Sequence, residues 1–414
     1  MQVAVIGGGV VGVCTAYFLA QAGHEVVVIE RYGNVAQESS FGNAGLIAPA
    51  YAGPWAAPDM PKYLLSFLLR HAAPVLLKPS LDPALWRWIR MWMSECTLAR
   101  YNVNKERMQR VAFYSHAIQQ QMSEHYALDY EQTRGVLQLF RNQRELQLSQ
   151  PALDVLARSG VEHRLLDADA ARLIEPALSG HTPMAAALYL PQDESGNCAL
   201  FTRQLKAVVQ SIGVEFHFNS PVDGISREEN RITMRIGEKS FSADAVVVAA
   251  GIDSARLLAP LGIRLPLCPV KSYSATAVIK NFEQAPQAAL IDETYRAAIT
   301  RMGSRIRIAG IAELGARSTE LRESVLRTLV KVGEDWLPDA ANYNTATFWS
   351  GFRPMLPDGA PLIGATPIKN VFINIGHGSA GWTMAAGSGK ALADIISGRP
   401  AEIDMDGLTL SRYG

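Results

Sequence analysis

The sequence predicts an α/β chain in which a parallel-sheet domain is woven through an α+β domain built on an antiparallel sheet. Three observations carry this. Short apolar runs suited to buried parallel strands stand at residues 3–6, 245–250 and 371–375, that is, at the start, middle and end of the chain. The first and last of them run into a glycine-rich turn and then a helix-like segment. Between them lie alternating runs at 231–236, 272–279, 297–300 and 305–310, which read as strands of a separate antiparallel sheet.

Taken in order, residues 3–6, 10–23 and 25–30 form a strand, a helix with Ala16, Leu19 and Ala20 on one face, and a second strand. A unit of this kind forces parallel pairing and a right-handed crossover. Residues 39–61 hold Pro49, Pro54, Pro58 and Pro61 among many Gly and Ala, and read as a long loop passing a ligand. Residues 85–126 read as mostly helical, with Trp86, Trp88 and Trp92 expected in the core. A strand follows at 135–140, a helix with proline in its first turn at 151–159, and a helix and strand at 203–213 and 214–218. No repeat is visible. The interleaving divides the chain into a nucleotide-binding domain from 1–50, 83–130, 197–266 and 352–414, and a substrate domain from 51–82, 131–196 and 267–351. The cleft between them is the expected ligand site.

Composition excludes several classes. The 39 basic and 39 acidic residues cancel, leaving no electrostatic footprint for nucleic acid. Cys14, Cys96, Cys198 and Cys268 show neither CxxC nor Cys/His spacing, so neither a metal site nor a disulfide framework is expected. The first strand starts at once, without the layout of a secretory signal, and a cytoplasmic location is expected. The most apolar segment, residues 63–77, is cut by Arg70, His71 and Pro74 and is too short to span a bilayer. Peripheral contact with the inner face of the cell membrane stays open.

Gly7, Gly9 and Gly12 have the GxGxxG spacing of a Rossmann-type unit, between a strand and a helix. Gly7 serves the tight turn, Gly9 the close approach of a pyrophosphate, and Gly12 helix-on-strand packing. Val10 and Val11 open the helix, whose N-terminus favours an anion. Glu30, ending the second strand, can accept hydrogen bonds from ribose hydroxyls and disfavours a phosphorylated ribose. The fingerprint leaves NAD and FAD open. Ala250 and Gly251 would let backbone pass close to the nucleotide. A further glycine-rich stretch, Gly376, His377, Gly378, Ser379, Ala380, Gly381, Trp382 and Thr383, joins the strand 371–375 to a helix-like run. A second electron-rich group fits that helix start, and the N1–C2=O2 edge of a flavin is the candidate.

With these stretches in hand, the chain resembles the D-amino-acid oxidase (DAO) superfamily of FAD oxidoreductases, on the side of its bacterial D-amino-acid dehydrogenases. The resemblance runs from Met1 to Gly414. Its specific pieces are Asn43-Ala44-Gly45, Tyr51-Ala52-Gly53-Pro54-Trp55, Leu137-Gln138-Leu139-Phe140, Asp292-Glu293-Thr294-Tyr295, Gly351-Phe352-Arg353-Pro354-Met355 and Gly376-His377-Gly378 with Gly381-Trp382-Thr383. It implies Glu30 and Arg31 at the adenosine, Val222 at the adenine by its backbone, Ser39 and Ser40 at the pyrophosphate and ribityl chain, and Asn43, Ala44, Gly45 and Leu46 beside the isoalloxazine. It also implies that Arg353 holds the substrate carboxylate, for which a planar guanidinium offers two parallel bonds. Tyr51, Tyr273 and Tyr295 are assigned to the substrate pocket, the last two with core or rim packing as the alternative. His377 has two roles open, a hydrogen bond to the ligands or a helix cap. Ser379 and Ala380 are small and no cysteine follows Cys268, which favours non-covalent FAD.

The implied reaction is oxidative deamination of D-amino acids, or of cyclic D-imino acids such as D-proline or hydroxy-D-proline. Positioning supplies most of the catalysis and no acid or base side chain is required. Electrons would pass to a quinone or respiratory acceptor. Two other readings stay open at this point: an O2-using amine oxidase of the glycine or sarcosine type, and a flavin-binding subunit of a larger electron-transfer complex.

Overall fold

The computed structural model describes residues 1–62, 73–228 and 231–414. The strands Gln2–Ile6, Glu25–Ile29 and Ala245–Val248 are almost wholly buried, so both of their faces must be apolar and their sequences do not alternate. They pair in parallel, Val3 lying opposite both Val26 and Ala245. Glu215–His217 extends this sheet on one side and Val371–Ile375 on the other, and Leu362–Ala365 closes it as an antiparallel sixth strand.

On one face of that sheet Val10–Gln21, Cys198–Ser211 and Gly381–Ile396 share a core, with Leu98–Tyr126 packed on the last of them. Small residues set how closely they approach. A Cβ on Gly389 would stand 3.0 Å from the backbone of Cys14, and one on Gly387 would stand 2.8 Å from the Ser115 nitrogen. Glycine costs a helix interior about 1 kcal/mol, and close packing on both neighbours offsets it here.

The second sheet has ten strands. One end of it is antiparallel, Cys268–Val278 lying between the terminal strand Thr347–Met355 and Arg305–Leu314. The expected antiparallel sheet also carries two parallel pairs, Ala289–Asp292 on Thr133–Phe140 and Val75–Leu77 on Arg305–Leu314. Strand alternation divides its faces. Leu137, Leu139, Leu290, Ile299 and Ile308 bury themselves against the helix Glu323–Trp336, while their neighbours Gln138, Ile291, Ala298 and Ala309 face a cavity on the other side.

Some expectations change. Arg231–Ile236 belongs to neither large sheet; it pairs with Gly224–Glu228 and Lys239–Ala243 in a sheet of three strands. The helix expected over 85–126 is two helices, Pro83–Glu95 and Leu98–Tyr126, because Thr97 caps the second by accepting the Arg100 N–H at 3.3 Å. Trp88 and Trp92 are buried against Val270 and Met355, whereas Trp86 is 50% exposed. Most of the apolar segment 63–77 lies outside the described residues, which resume before Val75–Leu77. Among the described residues no helix is long and apolar enough to cross a membrane.

Candidate active site

The first glycine turn is built as its spacing requires. Gly7 has φ +112°, and a Cβ there would lie 2.5 Å from the Ala249 carbonyl; a Cβ on Gly12 would lie 1.9 Å from the Gly7 carbonyl. Glu30, at the end of the second strand, accepts the Gly8 N–H at 2.6 Å and the Tyr32 N–H at 2.9 Å. Burial pushes its carboxyl up, and these two N–H groups pull it back. Ser40 accepts the Val10 N–H at 3.0 Å. Arg31 is fixed by Glu38 and Asp253.

These groups line one elongated cavity. All the residues expected at the cofactor border it except five: Gly12, Gly45, Leu46, Ala380 and Thr383. Gly12 lies under the helix, as its packing role requires. Gly45 lines neither this cavity nor the adjoining one; its N–H donates to Asn43 Oδ1 at 2.7 Å and shapes the loop instead. Leu46, Ala380 and Thr383 border an adjoining cavity. Thr383 accepts the Ala48 N–H and donates to the Leu46 carbonyl, tying the last helix to that loop. The Val222 carbonyl accepts from Arg256 at 3.2 Å.

Asn374, Trp349 and Arg307, and the free indole N–H of the expected Trp382, were not legible in the sequence. Asn374 donates to Thr15 and Ser388, leaving Oδ1 without a partner among the described residues, and the buried Trp382 Nε1 is likewise unpartnered. Trp349, two residues before Gly351, forms part of the wall. Arg307, from the second sheet, donates to the Phe41 and Asn43 carbonyls at 2.7 and 3.1 Å. His377 does not cap the helix with its side chain. Its Nε2 meets Ser388 Oγ at 3.0 Å, and burial takes the imidazole down to about 3, so it is neutral at physiological pH.

A long groove with a glycine turn at a helix N-terminus, a carboxylate at the second strand, small residues opposite and unpartnered buried polar atoms in its wall suits FAD. No cysteine lines either cavity among the described residues.

The adjoining cavity, about 200 Å³, meets the first at Ala44, Arg353 and Ser379. Arg353 projects from Thr347–Met355. Burial lowers its guanidinium to about 10, with Tyr51 pulling it back up, so it stays cationic. No carboxylate among the described residues pairs with it. Tyr51 lines this cavity, presented by a loop held from two sides: Asp193 accepts the Ala50 and Tyr51 N–H groups, and Lys105 donates to the Ala50 and Ala52 carbonyls. Burial drives the Lys105 amine down and the Asp193 carboxyl up. Tyr101, Gln138, Glu293 and Arg296 complete the polar lining.

Tyr273 and Tyr295 do not line either cavity. Strand alternation puts Tyr273 on the opposite face of the sheet, fully buried, with its hydroxyl donating to Glu313 at 2.6 Å. Tyr295 stacks beneath the Arg141 guanidinium, 5.2 Å from its ring centre. Core packing describes Tyr273, and rim packing describes the partly buried Tyr295.

The family model for FAD-dependent oxidoreductases, DAO, matches residues 2–395. The chain is 43% identical to a D-amino acid dehydrogenase of Bradyrhizobium diazoefficiens over 416 aligned positions, covering 100% of this chain and 99% of that protein. It is 44% identical to D-amino acid dehydrogenase 1 of Mesorhizobium japonicum, with 100% of each covered. Glycine oxidase from Geobacillus kaustophilus superposes with a TM-score of 0.78 at 20% identity, over 99% of both chains, and establishes a shared fold. The chain therefore belongs to the DAO family of FAD-dependent oxidoreductases.

Proposed function

We propose that this enzyme oxidises D-amino acids, including cyclic D-imino acids such as D-proline, to imino acids and passes the electrons to a quinone or other respiratory acceptor. The observation that carries the reading is Arg353: a half-buried, cationic guanidinium with no carboxylate partner among the described residues, where the two cavities meet. A partly desolvated charge without a partner is costly, and a substrate carboxylate offsets that cost while fixing the Cα orientation through two parallel bonds.

Bound FAD supplies the two-electron acceptor for the hydrogen leaving Cα. The chain supplies position and exclusion of water. Arg353 anchors the carboxylate, Tyr51 borders the same space, and Leu188, Leu190 and Ile291 wall off solvent. The backbone of 376–381 at the N-terminus of Gly381–Ile396 would hold the electron-rich edge of the bound cofactor and favour added negative charge there. The amine enters neutral, so no side chain need take its proton. The curated relatives named D-amino acid dehydrogenase support the substrate class and its hand.

Anaerobic titration of the yellow holoenzyme with a panel of D- and L-amino acids tests this. Bleaching by D-isomers alone, with reoxidation faster by a quinone than by O2, is expected. Bleaching by neither isomer would overturn the reading; bleaching with fast reoxidation by O2 would make it an oxidase.

A further inference from the structure

The cavity beside Arg353 holds more polar chemistry than a carboxylate anchor uses. Glu293 directly follows the strand Ala289–Asp292, and alternation sends Ile291 and Glu293 into the cavity. Asp292 points the other way and is held there by Arg141 at 2.6 Å and by Trp336 Nε1 at 2.6 Å. The facing of Glu293 is thus fixed from behind.

Its two oxygens differ. Oε1 accepts from Gln138 Nε2 at 2.7 Å and from the Tyr51 hydroxyl at 3.4 Å. Oε2 accepts no hydrogen bond among the described residues; Arg296 Nη2 stands 3.9 Å away, beyond hydrogen-bond reach. A carboxylate 9% exposed, with one oxygen held only by a long ion pair and accepting no hydrogen bond among the described residues, gains from a donor brought by a ligand.

We propose that Glu293 forms a second recognition subsite that selects substrates carrying a hydroxyl on the side chain or ring, the hydroxyl donating to Oε2. This rests on Arg353 anchoring the carboxylate. Charge narrows the choice of donor. A cationic side chain would enter a cavity already lined by Lys105, Arg296 and Arg353, and an anionic one would meet Glu293 itself. A neutral donor adds no charge, and in about 200 Å³ walled by Leu156, Leu188 and Leu190 a hydroxyl is the smallest.

The test compares kcat/KM for D-serine against D-alanine and for 4-hydroxy-D-proline against D-proline. It uses the holoenzyme, Glu293→Gln and Glu293→Ala, with a dye acceptor. Wild type should favour the hydroxylated member of at least one pair by roughly tenfold or more. That ratio should fall toward one in Glu293→Ala and lie between in Glu293→Gln, which keeps an acceptor oxygen. Parity of both pairs in wild type, a preference for D-lysine or D-glutamate over all four, or a ratio untouched by Glu293→Ala overturns the subsite. An equal loss for both members of each pair does so too, since it would put Glu293 at the α-amine or in the scaffold. The visible FAD spectrum reports folding, and if Glu293→Ala loses flavin, Glu293→Gln alone decides on the ratio. Turnover of D-alanine and D-proline at parity removes the subsite alone, whereas no reduction by any D-amino acid removes the proposed function with it.

Discussion

Arg307 Nη1 lies 3.1 Å from the carbonyl oxygen of Asn43, so a side chain of the ten-stranded sheet fixes the loop that borders the FAD cavity. The same nitrogen bonds the Phe41 carbonyl, and Nε reaches Thr276 Oγ1 at 3.2 Å. Burial lowers this guanidinium to about 10, which leaves it charged at neutral pH. Arg307→Met should leave both loop carbonyls unpaired and weaken FAD binding roughly tenfold or more, on about 1.5–3 kcal/mol for a charged hydrogen bond, offset in part by the charge no longer buried. Flavin fluorescence quenching on titration measures it, and an unchanged Kd would show that the loop holds its own shape.

Arg353 and substrate binding separate from flavin binding. Arg353→Ala should lower kcat/KM for D-amino acids by at least about 100-fold, from the roughly 3–5 kcal/mol lost when one partner of a buried charge pair is removed. The FAD spectrum should survive. Arg353→Lys should recover only part, since an ammonium lacks the two-pronged geometry. Near-normal kcat and KM in the alanine variant would exclude this residue as the carboxylate anchor.

The local parts of this architecture were legible in the sequence, and the long-range parts were not. Gly7 to Glu30 carries its own test, because strand, turn, helix and acid occur in one short stretch. Gln138 and Glu293 stand 155 residues apart and meet only because Thr133–Phe140 pairs with Ala289–Asp292. No local pattern specifies that pairing. Tyr273 shows the same limit: its residue type suits a pocket, but which face of its strand is buried depends on the register with Arg305–Leu314, which shifts between Ser272 and Tyr273. The helix Glu323–Trp336 was missed, although Val325, Leu329, Val332 and Trp336 recur at helical spacing.

His377 ties stability to acid. Its folded pKa is near 3, against 6.5 for the exposed group. Between those values the unfolded chain binds a proton that the native one refuses. Its contribution to stability is therefore complete above about pH 6.5 and is lost as pH falls. Asp193, raised from 3.8 to about 7, works in the opposite direction over an overlapping window, so the informative quantity is the difference between wild type and His377→Gln. From pH 6.5 to 4.5 wild type should lose stability faster by about 1.4 kcal/mol per pH unit. Urea unfolding at saturating FAD measures this; parallel curves would mean that the buried imidazole does not titrate as its surroundings imply.

Gly42 packs against Trp349 of the strand Thr347–Met355. A Cβ on Gly42 would stand 2.0 Å from the indole Cε3, and one on Gly351 would press the same ring at 2.3 Å, so the indole is bounded by glycine on two sides. Trp349 also lines the FAD cavity. Gly42→Ala must therefore move either the ring or the loop of Asn43 and Ala44, and FAD affinity should fall roughly tenfold or more, with overpacking costs of about 1–3 kcal/mol. The cause can be isolated with a cycle of Gly42→Ala, Trp349→Ala and the double variant. If the clash is responsible, Gly42→Ala should be nearly neutral once the indole is gone. If the two changes instead add, the glycine is required by its loop rather than by the ring against it.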